Sequence, residues 1–148
     1  MSKRILSILK KSEIFSGLTD QELDEISALA EIEEYDEAEI IVFEGEVGDD
    51  LYLVLSGRVG VSAKLAGRSK KLAVLESGGI FGEIAPLRAH RRMATVVALQ
   101  KVEVGRIPQK PLEIILDDFP LVKARLEDLG TTRMLENALA EIGDHSSQ

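Results

Sequence analysis

The sequence predicts a mainly β fold, an antiparallel roll of the jelly-roll kind with helices at both ends. Three observations carry that prediction. Short β-rich runs punctuated by glycine fill the chain from Ile32 to Ile107, a capped helical pattern precedes them, and a helical pattern opened by prolines follows. At 148 residues and 45% hydrophobic content the chain is the size of one domain. The expected layout is N-terminal helices over 1–31, the roll over 32–107, C-terminal helices over 108–142 and a polar tail over 143–148.

The elements follow in order. Lys3 and Arg4 lead into Ile5, Leu6, Ile8 and Leu9, an apolar run that Lys10 and Lys11 end too early for a secretory signal, so a short amphipathic helix is expected. Thr19-Asp20-Gln21-Glu22 is a capping box, and Leu23, Ile26, Leu29 and Ala30 recur behind it at helical spacing, giving a helix over 19–31. The strand candidates are Ile40–Phe43, Leu51–Leu55, Val59 with Val61, Leu72–Leu75, Val96–Leu99 and Val102 with Val104. Between them stand Gly45, Gly48-Asp49-Asp50, Ser56-Gly57, Gly67 and Ser77-Gly78-Gly79. Regular short strands with such turns point to an antiparallel roll or barrel, not to a parallel sheet with crossover helices. Pro111 and Pro120 are placed as first-turn prolines of helices over 111–117 and 120–141. The second carries Leu126, Leu129, Leu135, Leu139 and Ile142, a stripe that could cover the roll, pair two copies as a homodimer, or both.

Composition narrows the function. The net charge is −8, from 26 acidic and 18 basic residues, which disfavours nucleic acid as a partner. No cysteine is present, so disulfides, thiolate metal sites and cysteine nucleophiles are excluded, and a cytoplasmic address is favoured. His90 and His145 are the only histidines, too few for an ordinary metal site, so no metal is expected. No stretch approaches the roughly 20 apolar residues of a transmembrane helix. Neither a P-loop nor a serine with a matching histidine and acid can be assembled, so binding rather than catalysis is expected.

The informative stretch is Gly78 to Val96, GGIFGEIAPLRAHRRMATV, in which a glycine-rich turn and a glutamate precede an arginine. A small cyclic phosphate diester needs an arginine fork and backbone N–H donors for its anion, and a carboxylate for its ribose hydroxyl. A short helix starting at Gly82-Glu83-Ile84-Ala85 would aim free N–H groups at the anion while Glu83 accepts from the hydroxyl. Arg92 would come from the far side of the loop, with the N–H of Met93 or Ala94 as a further donor.

These residues resemble the phosphate-binding cassette of the cyclic nucleotide-binding domain family, whose pattern is roughly F-G-E-[LI]-A, a variable loop, then P-R-[AST]-A-T-V. Phe81–Ala85 and Arg92–Val96 match it. Ile14–Leu18 is similar to the family's opening motif, Phe43-Glu44-Gly45 to its early turn, and Leu51 to Val59 to its L-Y-x-[IV]-x-x-G-x-V segment, so the resemblance spans nearly the whole chain. It implies a β-roll with a short cassette helix and helices at both ends. It also implies that Glu83 binds the ribose 2′-hydroxyl and Arg92 the exocyclic phosphate oxygens, while Gly82, Ile84, Ala85 and Met93 line the pocket or donate N–H groups. Domains of this family commonly cover the base from the C-terminal helix, where Arg133, Met134 and Asn137 are in reach.

Three positions depart from the family pattern. Arg91 replaces a proline, Met93 a small residue or threonine, and Pro86 an aliphatic residue. Pro86 removes a helical donor, and the bulk of Met93 would narrow the site or rest against the purine. Without a threonine hydroxyl at 93, the resemblance implies cAMP in preference to cGMP.

Each signal also has a plainer explanation. Glu83 alone could cap a turn, Arg92 alone could join a surface ion pair, and Arg88, His90 and Arg91 read as a solvated basic loop. The combination at the family spacing favours a regulatory sensor module with a cyclic nucleotide as ligand and no cofactor. Its effector is expected to be a separate protein or a domain outside this sequence. The alternative is a degenerate, ligand-free roll acting as a protein interaction or dimerisation module.

Overall fold

The computed structural model describes residues 3–48, 50–65, 67–82, 92 and 94–146, the side chains of 65 and 134–146 excepted. Helix α1 (Lys3–Lys11) buries Ile5, Ile8 and Leu9, and a 3₁₀ turn (Glu13–Phe15) buries Phe15. Helix α2 (Asp20–Ala28) begins with the expected capping box. Thr19 N–H donates to the Glu22 carboxylate at 2.9 Å and Glu22 N–H to the Thr19 hydroxyl at 3.1 Å.

The helix expected over 19–31 stops at Ala28, with Leu29 as its cap. Leu29 N–H already reaches back only three residues, to Ile26 O at 3.0 Å. The next residues are claimed by a strand, β1 (Glu31–Tyr35), which lies beside the last strand with Glu31 opposite Arg106 and Tyr35 opposite Val102. Its three glutamates kept β1 out of the strand candidates, because Glu is depleted in strands generally. Here β1 is a sheet edge, where charge is tolerated and discourages further pairing.

The remaining strands are β2 (Ile40–Val42), β3 (Leu51–Ser56), β4 (Val59–Leu65), β5 (Arg68–Leu75), β6 (Ile80–Phe81), β7 (Thr95–Ala98) and β8 (Val102–Ile107). They form two four-stranded sheets in the orders β1-β8-β3-β6 and β2-β7-β4-β5, and every pairing is antiparallel. The antiparallel roll expected from the spacing of turns is the architecture observed. Strand β6 was not among the candidates, since two residues show no alternation.

Why Leu51–Leu55 is an unbroken apolar run follows from its position. Leu51, Leu53 and Leu55 face the helices and pack with Leu9, Phe15, Leu23 and Ile26, whereas Tyr52 and Val54 face the inside of the roll with Val59, Phe81, Val96, Val102 and Val104. Strand β3 is covered on both faces, so both sets of alternating side chains must be apolar. Each large aliphatic side chain sealed in this way contributes roughly 1.5–3 kcal/mol.

Helix α3 (Gln109–Asp118) places Pro111 in its first turn and α4 (Pro120–Ser146) starts on Pro120. Neither proline forfeits a helical hydrogen bond, because first-turn N–H groups have no intrahelical partner. Leu112, Ile115, Val122 and Leu126 join the helical core. Helix α4 extends past residue 141 into the stretch expected as a tail; Gly143 continues the helix there instead of ending it in a left-handed cap. Among the described residues no helix is long and apolar enough to cross a membrane.

Candidate ligand-binding site

Arg92 is the one charged side chain among the buried described residues, at 7% exposure. Its position is fixed at both ends. The main chain is clamped by the turn after β2, with Arg92 N–H donating to Glu46 O at 2.8 Å and Gly45 N–H donating to Arg92 O at 2.9 Å. The same turn is tied to β7, where Glu44 N–H donates to the Thr95 hydroxyl at 3.0 Å. The Glu44 carboxylate in turn accepts from Lys64 N–H at 2.9 Å.

The guanidinium is held from another direction. Nη1 donates to the carbonyls of Asp50 at 3.0 Å and Gly82 at 3.2 Å, and the group lies over the Tyr52 ring with Cζ 5.9 Å from the centroid. Among the described residues, all of its hydrogen bonds run through Nη1. The other edge, Nε with Nη2, passes so close to Gly48 that a Cβ built there would meet those atoms at 2.7 and 2.8 Å. At Gly82 a Cβ would meet Nη1 and Asp50 O, both at 2.7 Å, and φ is +89°. Glycine at 82 is thus needed for its left-handed backbone and for the close approach.

Asp50 links this group to a second cluster. Its carboxylate accepts from Arg106 Nη1 at 2.7 Å and from Gln109 N–H at 3.2 Å, at the first turn of α3. Arg106 also donates to Glu33 through Nε at 2.9 Å, and pairs with Glu31. The Asp50 hydrogen bond is the largest influence that holds Arg106 charged well above the ordinary arginine range, against the cost of its partial burial. Tyr52 is buried beside these charges, and desolvation first, then the Asp50 carboxylate, raises its phenol pKa. Tyr35 is raised in the same direction, by burial and then by its 2.9 Å hydrogen bond to Glu33.

Of the expected site residues, the structure brings Gly82 and Arg92 into contact and sets Ala94 between Arg92 and β7. Glu83, Ile84, Ala85 and Met93 lie outside the described residues, as do the expected short helix at 82–85, Pro86 and the basic residues Arg88, His90 and Arg91. Arg133 projects from α4 to donate through Nη1 to Ile80 O at 2.7 Å, in β6, the strand that leads into Gly82. Met134 and Asn137 are on the same helix, their side chains outside the described residues. Sequence reasoning passed over Gly48, Asp50 and Tyr52, which it took for a turn and a strand. The available signal was Tyr52 itself, a lone aromatic in an aliphatic run directly after a glycine-acid turn.

The family model of the cyclic nucleotide-binding domain matches residues 32–119. The chain is similar to the cyclic AMP receptor protein of Thermus thermophilus, 31% identical over 86% of this chain and 60% of that protein. It is also similar to a cGMP-dependent protein kinase of Caenorhabditis briggsae, 31% identical over 81% of this chain and 16% of the kinase. Among solved structures it resembles the Thermus thermophilus catabolite activator protein, with TM-score 0.77, 31% identity and coverage of 91% of this chain and 63% of that one. The chain therefore spans less than two thirds of the length of these relatives.

Proposed function

Because the chain belongs to the cyclic nucleotide-binding domain family, we propose that it is a sensor module in which Arg92 grips the cyclic phosphate of cAMP. The observation that carries this reading is the buried, pre-oriented guanidinium of Arg92, whose Nη1 is committed to two carbonyls. The Nε and Nη2 edge then serves as the planar fork that suits the two exocyclic oxygens of a phosphate diester. Glu83 accepts from the ribose 2′-hydroxyl, and the N–H groups around Gly82, Ile84, Ala85, Met93 and Ala94 complete the anion site. The similar proteins carry names that refer to both cyclic nucleotides. The choice of cAMP over cGMP rests on Met93, which supplies no hydroxyl to the base.

The output is a movement of the C-terminal helices. Arg133 ties α4 to Ile80, at the start of the segment that leads to Gly82, so a cassette drawn toward a phosphate would pull on the contact that seats α4. With Met134 and Asn137, Arg133 covers the base. A nucleotide can shift this equilibrium only by its difference in affinity for the two arrangements. The receiving effector is another protein or a further domain, the module performs no catalysis and carries no metal, and its cysteine-free composition supports a cytoplasmic address.

Isothermal titration with cAMP and cGMP tests the proposal. We expect saturable binding that favours cAMP and is weakened in Arg92→Ala by about 2–5 kcal/mol, the usual cost of truncating one partner of a buried charge pair. No heat with either nucleotide at millimolar concentration would overturn the sensor in favour of a ligand-free interaction module.

A further inference from the structure

We infer that Tyr52 is a positioning residue for Arg92, setting the plane of the guanidinium from the inner end of strand β3; the inference deepens the reading of Arg92 as the phosphate grip and rests on it. Tyr52 points into the roll, where the neighbouring inward positions are valines: Val54 on its own strand, and Val102 and Val104 on β8. An aliphatic residue would fill that layer. The aromatic ring adds a flat, electron-rich face of fixed orientation. The ring is stacked on Phe81 at a centroid separation of 4.8 Å and an interplanar angle of 1°, and Tyr52 and Phe81 are paired between β3 and β6. Phe81 immediately precedes Gly82, whose carbonyl accepts from Arg92.

The geometry leaves the guanidinium little freedom. Two carbonyls fix Nη1 and the Tyr52 ring supplies a face at 5.9 Å, within the range of a cation–π contact, while glycine at 48 keeps a Cβ off the Nε and Nη2 edge. Hydrogen bonds through one nitrogen alone would let the group pivot about that atom. The ring removes the pivot, so the fork meets an arriving phosphate already oriented and less ordering is left for the binding step. The ring face performs this role, and the hydroxyl does not.

Nucleotide titrations of Tyr52→Phe, Tyr52→Leu, Arg92→Ala and the Tyr52→Leu/Arg92→Ala pair, with the Arg92 Nε–Hε NMR signal of the ligand-free proteins, test this. We expect Tyr52→Phe to bind within about twofold of the parent. Tyr52→Leu should lose about tenfold, and the loss should vanish when Arg92 is already alanine. The Arg92 Hε signal should move in Tyr52→Leu, as the ring current that acts on it is removed, and stay in place in Tyr52→Phe. Tyr52→Met, which keeps more of the side-chain volume, takes the place of Tyr52→Leu should the leucine variant not fold. Unchanged affinity with an unmoved Hε signal would overturn the inference, as would an equal loss in the Arg92→Ala background. A parent protein that binds no nucleotide would defeat the sensor reading, and the Hε signal would still decide whether the ring fixes Arg92.

Discussion

The main-chain carbonyl of Asp50 accepts from Arg92 Nη1 at 3.0 Å while its carboxylate accepts from Arg106 Nη1 at 2.7 Å, so one residue holds two arginines through two different groups. Side-chain substitution separates these duties. Asp50→Ala keeps the carbonyl and deletes the carboxylate, which is partly buried and also receives Gln109 N–H. Urea denaturation is expected to show a loss of about 1–3 kcal/mol, the range for a charge-assisted hydrogen bond together with a helix-terminus contact. Nucleotide affinity should fall far less than in Arg92→Ala.

Two glycines next to Arg92 are expected to respond differently to alanine. At Gly48 the backbone is unstrained, and the clash is with the guanidinium of Arg92, which would have to turn away from its two carbonyls. Gly48→Ala should therefore fold with a melting temperature lowered by the strained Arg92 contacts, and lose about tenfold or more in nucleotide affinity, as about 1.4 kcal/mol of misplacement would give. At Gly82 the new Cβ meets a backbone carbonyl and φ is +89°. Gly82→Ala should lose about 1–2 kcal/mol of stability from the left-handed backbone alone, besides affinity. Thermal melts paired with titration calorimetry read both effects.

The two tyrosines, Tyr35 and Tyr52, both have folded-state pKa values above the ordinary phenol value of about 10. Above that pH the unfolded chain loses phenolic protons that the native protein keeps, so stability is present below about pH 10 and falls as pH rises toward the folded values. Phenolate absorbance should appear at higher pH in native protein than in urea. Tyr35→Phe and Tyr52→Phe should each flatten the alkaline loss of stability, and a native titration that overlays the unfolded one would refute the burial argument.

Thr19→Ala removes the acceptor for Glu22 N–H and breaks the reciprocal cap. A cost of about 1 kcal/mol is expected in denaturant melts. Hydrogen exchange should quicken in the first turn of α2 and leave the roll unaffected, because the bond is local and exposed.

The sequence was most legible where a single segment decides its own conformation. The box at Thr19–Glu22, the turn glycines and the first-turn prolines each act within a few residues, and each lies where expected. Strand β1 was missed because its glutamates suit an edge opposite Arg106, a partner 75 residues away in the chain. Strand β6 was missed because it is only two residues long.

Residue type and order alone determined that the chain makes an antiparallel roll between helices, and marked Arg92 as the cation to watch and Gly82 as a place where the backbone could come close to a ligand. Alternation, capping and turn chemistry are local, and a family cassette is a string. Only the tertiary structure decided what holds Arg92. Its supports are Gly45 and Glu46 from the turn after β2, Asp50 just before β3 and Tyr52 within it, and Gly82 after β6. These residues meet because the two sheets close over one another, and no spacing in the chain records which side chain will face a guanidinium brought in from 40 residues away.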